Sequence, residues 1–192
     1  RKPGRRSPLR WLAFGSLTLL IGTGVVAGLA LAVFYIELDR SLPSIQSLKN
    51  YHPPLVSSVY AADGSLIGEF YTERRYLVPL QEIPPHVVKA FLASEDVRFY
   101  EHGGVDLPGI IRATLKNLEA GEIVQGGSTI TQQVVKSLLL TPEKTYVRKL
   151  KEAILAYRID HALSKNEILY LYLNQIYFGA GAYGVEAAAR TY

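Results

Sequence analysis

The chain has 192 residues, 48% of them hydrophobic, which suits one folded domain with an appendage. Its net charge of +4 does not mark a nucleic-acid-binding protein: Arg1, Lys2, Arg5, Arg6 and Arg10 all precede residue 11, and without them 16 Lys and Arg face 17 Asp and Glu. Cysteine is absent, which excludes disulfides, thiolate metal sites and a cysteine nucleophile; methionine is absent too, so the sequence is expected to start within a longer reading frame or after trimming.

Residues 11–36 carry no charge, and 19 of these 26 are hydrophobic. As a helix rising ~1.5 Å per residue they reach roughly 39 Å, more than the ~30 Å hydrocarbon core of a bilayer. Trp11 and Tyr35 suit the two interfaces. The basic residues lie on the N-terminal side, and Glu37 and Asp39 follow the apolar run. The positive-inside rule therefore predicts a cytoplasmic tail over 1–10, an anchor over 11–36 and everything later outside. A cleaved signal peptide is the alternative, but the run exceeds the usual 7–15-residue apolar stretch and no small-residue cleavage site follows. Gly24, Gly28 and Ala32 offer a small-residue face that suits packing of two anchors.

Pro43, Pro53 and Pro54 make 37–55 read as a linker, leaving 56–192 as the domain. Two β-prone runs, 56–60 and 66–71, flank Asp63-Gly64 and predict a hairpin, with a third short strand over 74–80. From Pro84 the pattern turns helical. Val88, Phe91, Leu92 and Glu95 follow helical spacing, so Glu95 is expected on an apolar stripe, where desolvation raises a carboxyl pKa and makes a better base. A second helix is predicted over 107–118, with Ile110, Ile111, Leu115 and Leu118 apolar. A third starts at Thr129 or Thr131 and runs to 140. A fourth starts at Thr141-Pro142-Glu143 and runs to 163. The fifth opens with a Ser164–Glu167 capping box and runs to 178. His52, His86, His102 and His161 lack metal-ligand spacing.

Three clusters carry chemistry. Glu95-Asp96-x-x-Phe99-x-x-His102-x-Gly104 holds a candidate base; a salt bridge from Glu95 to Arg98 or Arg112 is the structural alternative. Asp96 suits orienting backbone or a basic partner, and His102 alone reads as structural. Gly126-Gly127-Ser128-Thr129-x-x-Gln132-Gln133 places glycines before a helix start, where N–H groups and the helix dipole suit phosphate, though a plain turn and cap has the same sequence. Arg148-Lys149-x-x-Glu152 puts Arg148 and Glu152 on one helix face, where they pair or hold an anion.

Together with Lys165-x-x-Ile168-Leu169-x-x-Tyr172-Leu173-Asn174, these motifs resemble, in order and spacing, the four signatures of the peptidoglycan glycosyltransferases (glycosyltransferase family 51), the polymerising domains of class A penicillin-binding proteins and monofunctional transglycosylases. The resemblance covers about 84–190 and implies a mainly α, lysozyme-like fold with a small β element behind one transmembrane helix. It implies that Glu95 is the general base and Glu152 the second catalytic carboxylate. Asp96, Phe99, His102, Thr129, Gln132, Gln133, Lys136, Arg148, Lys149 and Asn174 are implied to line the substrate site. The implied substrates are lipid II and the growing glycan strand, joined by β-1,4 linkage with release of polyprenyl pyrophosphate at a bacterial plasma membrane. No cofactor is implied beyond a divalent cation, Mg or Mn, at the pyrophosphate, and other cell-wall synthesis proteins are the implied partners. The family domain is expected to continue past Tyr192. A glycan-cleaving enzyme of the same fold and a non-catalytic scaffold are the alternatives. The segment 107–122 suits either a membrane-contacting flap or ordinary core packing.

Overall fold

A computed structural model describes residues 8–49, 51–143 and 145–192. The chain divides into two compact units, residues 1–42 and 43–192. The first contains one helix, α1 (Pro8–Arg40). Within it, Leu19–Arg40 contains an uncovered apolar stretch and has a mean hydropathy of 2.3, so this helix is long and apolar enough to cross a membrane. Most of the basic tail, and the side chain of Trp11, lie outside the described residues.

The second unit is mainly α. After a short helix, α2 (Gln46–Lys49), the predicted hairpin forms from β1 (Ser57–Tyr60) and β2 (Leu66–Phe70). Its turn closes as Asp63-Gly64 dictates: the Asp63 carboxylate accepts from the Ser65 N–H and hydroxyl, and Gly64 takes φ +82°. The expected third strand is shorter and pairs elsewhere. β3 (Arg74–Arg75) runs parallel to β4 (Ala182–Tyr183), far along the chain. Arg75 explains this choice: its guanidinium is fully buried, donating to the carbonyls of Asn174 and Pro54 and pairing with Glu73. The stretch read as a linker is thus divided, its last part giving Tyr51 to Gln175 and Pro54 to Arg75.

The helices follow their caps. α3 (Pro85–Glu95) begins with proline in its first turn, and α4 (Leu107–Ala120) is capped by Asp106 and stopped by Gly121 at φ +71°. α5 (Ile130–Leu138) starts from a Thr129–Gln132 capping box, and α7 (Lys165–Gln175) from the Ser164–Glu167 box. α6 (Tyr146–Ala162) starts later than expected because Thr145 caps it, by accepting from the Arg148 N–H. α7 stops at Gln175, earlier than expected: Ile176 is extended and its carbonyl accepts from Gly184. A last helix, α8 (Val185–Thr191), follows β4.

The core is the α5–α6–α7 cluster. Val134 and Val135 of α5, Leu155 and Ile159 of α6, and Ile168 and Leu173 of α7 are at most 1% exposed. Each such side chain contributes about 1.5–3 kcal/mol of transfer free energy, so these three helices form a rigid base. α4 differs: Ala113 is its only buried residue, and Leu107, Ile111, Leu115 and Leu118 are all more than half exposed.

Candidate active site

Glu95 is the last residue of α3, and the chain leaves helical geometry at Asp96. This corrects the expected apolar setting. The stripe of Val88, Phe91 and Leu92 is half-buried, but at the helix end Glu95 swings into the open while its neighbour Asp96 turns inward. Glu95 accepts a hydrogen bond at Oε2 from Gln133 Nε2 at 2.9 Å. Neither arginine offered as an alternative partner pairs with it. Arg98 pairs with Asp106 and Glu101, and Arg112 has no ion pair among the described residues.

Behind Glu95 lies a buried scaffold. The Asp96 carboxylate lies 2.9 Å from His102 Nε2 and accepts from the Ile130 N–H at 3.0 Å. It thereby holds the first turn of α5, where a negative charge also meets the positive end of the helix. The Thr129 hydroxyl donates to the Gly104 carbonyl at 2.6 Å, and Gln132 completes the capping box. Phe99 is fully buried beneath Lys165, whose Nζ sits 4.7 Å from the ring centre, donates to the His102 carbonyl and pairs with Asp160. Asp96, Phe99, His102, Thr129 and Gln132 therefore connect three of the four motifs from behind. Part of the expected set of N–H groups at the start of α5 is engaged within the protein: Ile130 N–H is held by Asp96 and Gln132 N–H by Thr129 Oγ1.

Positive charge comes from α6 as well as from Arg112 of α4 and Lys136 of α5, which line the clefts described below. Glu152 is buried and pairs with Arg148 at 3.1 Å and with Lys149. Lys149 is half-exposed, and its Nζ also donates to Ser128 Oγ at 2.9 Å. The glycine-rich turn is thus fastened to the helix that carries Glu152. Two clefts flank Gln133. One, of about 360 Å³, is lined by Glu95, Asp106, Arg112, the 124–129 turn and Gln133. The other, of about 460 Å³, is lined by Gln133, Lys136, Tyr172 and Tyr177 among others.

Residues 63–192 match the family profile described as Transglycosylase. The chain belongs to that family. It is 48% identical over 173 residues to penicillin-binding protein 1A of Aquifex aeolicus, covering 90% of this chain and 24% of that protein. It is likewise 48% identical over 174 residues to penicillin-binding protein 1A of Escherichia coli (91% and 20%), and 47% identical over 180 residues to that of Rickettsia bellii (92% and 22%). The chain therefore spans between a fifth and a quarter of the length of these curated relatives.

Within the transglycosylase unit, the predicted site residues separate into two sets. Glu95, Gln133, Lys136 and Lys149 reach the clefts or their rims, where the otherwise buried Asp96 and Thr129 also show an edge, with Glu152 and Arg148 next to Lys149. Asn174 belongs with the buried set: its amide exchanges two hydrogen bonds with Val78 and donates a third to the Tyr170 carbonyl. Sequence reasoning missed Arg112 and Tyr172 as cleft residues. Helical spacing marks both as part of α4 and α7 but does not say which wall they face.

Proposed function

We propose that this transglycosylase is a peptidoglycan glycosyltransferase of bacterial cell-wall synthesis, polymerising lipid II into β-1,4 glycan strands. Glu95 removes the proton from the acceptor sugar's 4-hydroxyl. That oxygen attacks the anomeric carbon of the growing chain, and the polyprenyl pyrophosphate leaves with the bonding pair. A pyrophosphate needs neutralising more than it needs an acid, and Lys149, Arg148 and Lys136 supply that charge. Glu152 keeps the first two oriented. The observation that carries this reading is the Gln133 bridge: it sets an exposed carboxylate at the junction of two clefts, next to a turn held by Lys149.

Among the described residues no three His, Cys, Asp or Glu gather as a metal site. Asp96 is engaged by His102 and Asp106 by Arg98, and a divalent cation, Mg or Mn, is proposed to arrive with the substrate's pyrophosphate. We place the chain at the plasma membrane through α1, with the transglycosylase unit on the outer side. The uncovered stripe of α4 supports contact with the bilayer interface, where a lipid-linked substrate resides. The growing strand is the second substrate, and other wall-synthesis proteins are proposed partners.

Glu95→Gln tests the reading. The amide keeps the shape but cannot take a proton, so lipid II polymerisation should fall at least about a hundredfold with an unchanged melting temperature. Polymerisation at the parent rate would refute it.

A further inference from the structure

Among the described residues, Tyr172 is a nearly fully buried side chain on the wall of the second cleft whose polar atom is left over. Its side chain is 2% exposed, its ring meets Phe91 edge-on at 6.1 Å, and its hydroxyl has no hydrogen-bond partner among the described residues. Buried hydroxyls are normally paired, so an orphan beside a cleft points to a partner that arrives with a ligand. The position is specific. Tyr172 shares its cleft with Gln133, whose amide holds Glu95 by Oε2. No described residue bonds Oε1.

We propose that Tyr172 is a further substrate-contacting residue of this site, donating a hydrogen bond to the oxygen of the attacking hydroxyl while that hydroxyl donates its proton to Glu95. The inference rests on the glycosyltransferase reading and deepens it. An attacking hydroxyl oxygen has one proton and two lone pairs. With the proton directed at Glu95 and one lone pair held by Tyr172, the remaining pair is aimed at the anomeric carbon. Fixing that orientation before reaction removes a share of the entropic barrier. In the step itself, the new C–O bond forms from the free lone pair. The C–O bond to pyrophosphate breaks with its electrons going to the leaving oxygen, and the proton passes to Glu95.

Tyr172 keeps its own proton throughout. Burial, reinforced by the nearby negative charge of Glu95, pushes the phenol well above its ordinary value. A weak acid suits this role, because a strong donor would draw electron density from the nucleophile.

The test is Tyr172→Phe in the full-length protein, assayed with lipid II. The ring and its contact with Phe91 remain, and no protein hydrogen bond is lost, so the melting temperature should not fall. Loss of one neutral hydrogen bond in the transition state predicts kcat reduced about tenfold, with KM for lipid II within about twofold. A parent-like kcat overturns the inference, as does a rise in KM alone or a loss of rate accompanied by a lowered melting temperature. Glu95→Gln separates the two claims. If it polymerises normally, the glycosyltransferase reading itself fails. If it is inactive while Tyr172→Phe is fully active, only the role of Tyr172 fails.

Discussion

Gly104→Ala gives the sharpest test of how the motifs are packed together. Gly104 has φ +88°, and a Cβ there would lie 2.3 Å from the Ala156 carbonyl oxygen and 2.6 Å from its carbon. Both are backbone atoms of α6, so no side chain can rotate away, and the helix or the 102–106 segment must shift by about 1 Å. A left-handed alanine costs about 1–2 kcal/mol, and forced overpacking adds about 1–3 kcal/mol. Together they predict a loss of about 3 kcal/mol. For a unit of this size that is a melting temperature lower by about 6–12 °C. The neighbouring Gly103→Ala is the control: its Cβ would meet only His161 Cε1, at an ordinary 3.6 Å, and its φ is not left-handed. It should stay within about 0.5 kcal/mol of the parent. Both variants are measured by thermal denaturation followed by far-UV circular dichroism. Equal melting temperatures for the two would refute the argument that close approach of α6 dictates glycine at 104. Displacement of α6 also moves Glu152 and Lys149, so Gly104→Ala should lose polymerisation as well.

Two further outcomes are expected. Because burial raises the Tyr172 phenol in the folded state, its stabilising share is complete below the unfolded value of 10.0 and is lost as pH rises through the folded value. Urea midpoints at about pH 9 and 11 should therefore converge more for Tyr172→Phe than for the parent, because phenylalanine has no proton to lose. Replacing Ile111 and Leu115, both more than half exposed, with serine should weaken liposome association at least about tenfold without lowering the melting temperature. Unchanged binding would remove α4 from the membrane interface.

The features legible in the sequence are those encoded locally. The capping box at Ser164–Glu167 is where the pattern puts it, Thr129 is the cap of the two the pattern offers for α5, and the Asp63-Gly64 hairpin and the proline start of α3 also form as predicted. What could not be read depends on partners far along the chain. Asp96 holds Ile130 across 34 residues, and Asn174 clamps Val78 across 96. No window of sequence shows that Asp96 faces inward and Glu95 outward, because that choice is made where α3 ends, not by its apolar stripe. The start of α6 differs from the expected one for a related reason. Thr141 and Thr145 both precede helix-forming runs, and only Thr145 caps one. At the start of α5, too, the sequence does not show that Asp96 and Thr129 take the Ile130 and Gln132 N–H groups.

The Arg75 guanidinium sets a practical limit on where this unit can be cut. It has no access to solvent, and one of its few acceptors is the Pro54 carbonyl. A polypeptide engineered to begin at residue 56 would strand a cation in the interior with one anchor gone, and breaking such a buried contact typically costs several kcal/mol. Soluble versions lacking the hydrophobic helix should therefore retain the proline-containing stretch ahead of the hairpin, because that stretch supplies part of the cation's cage.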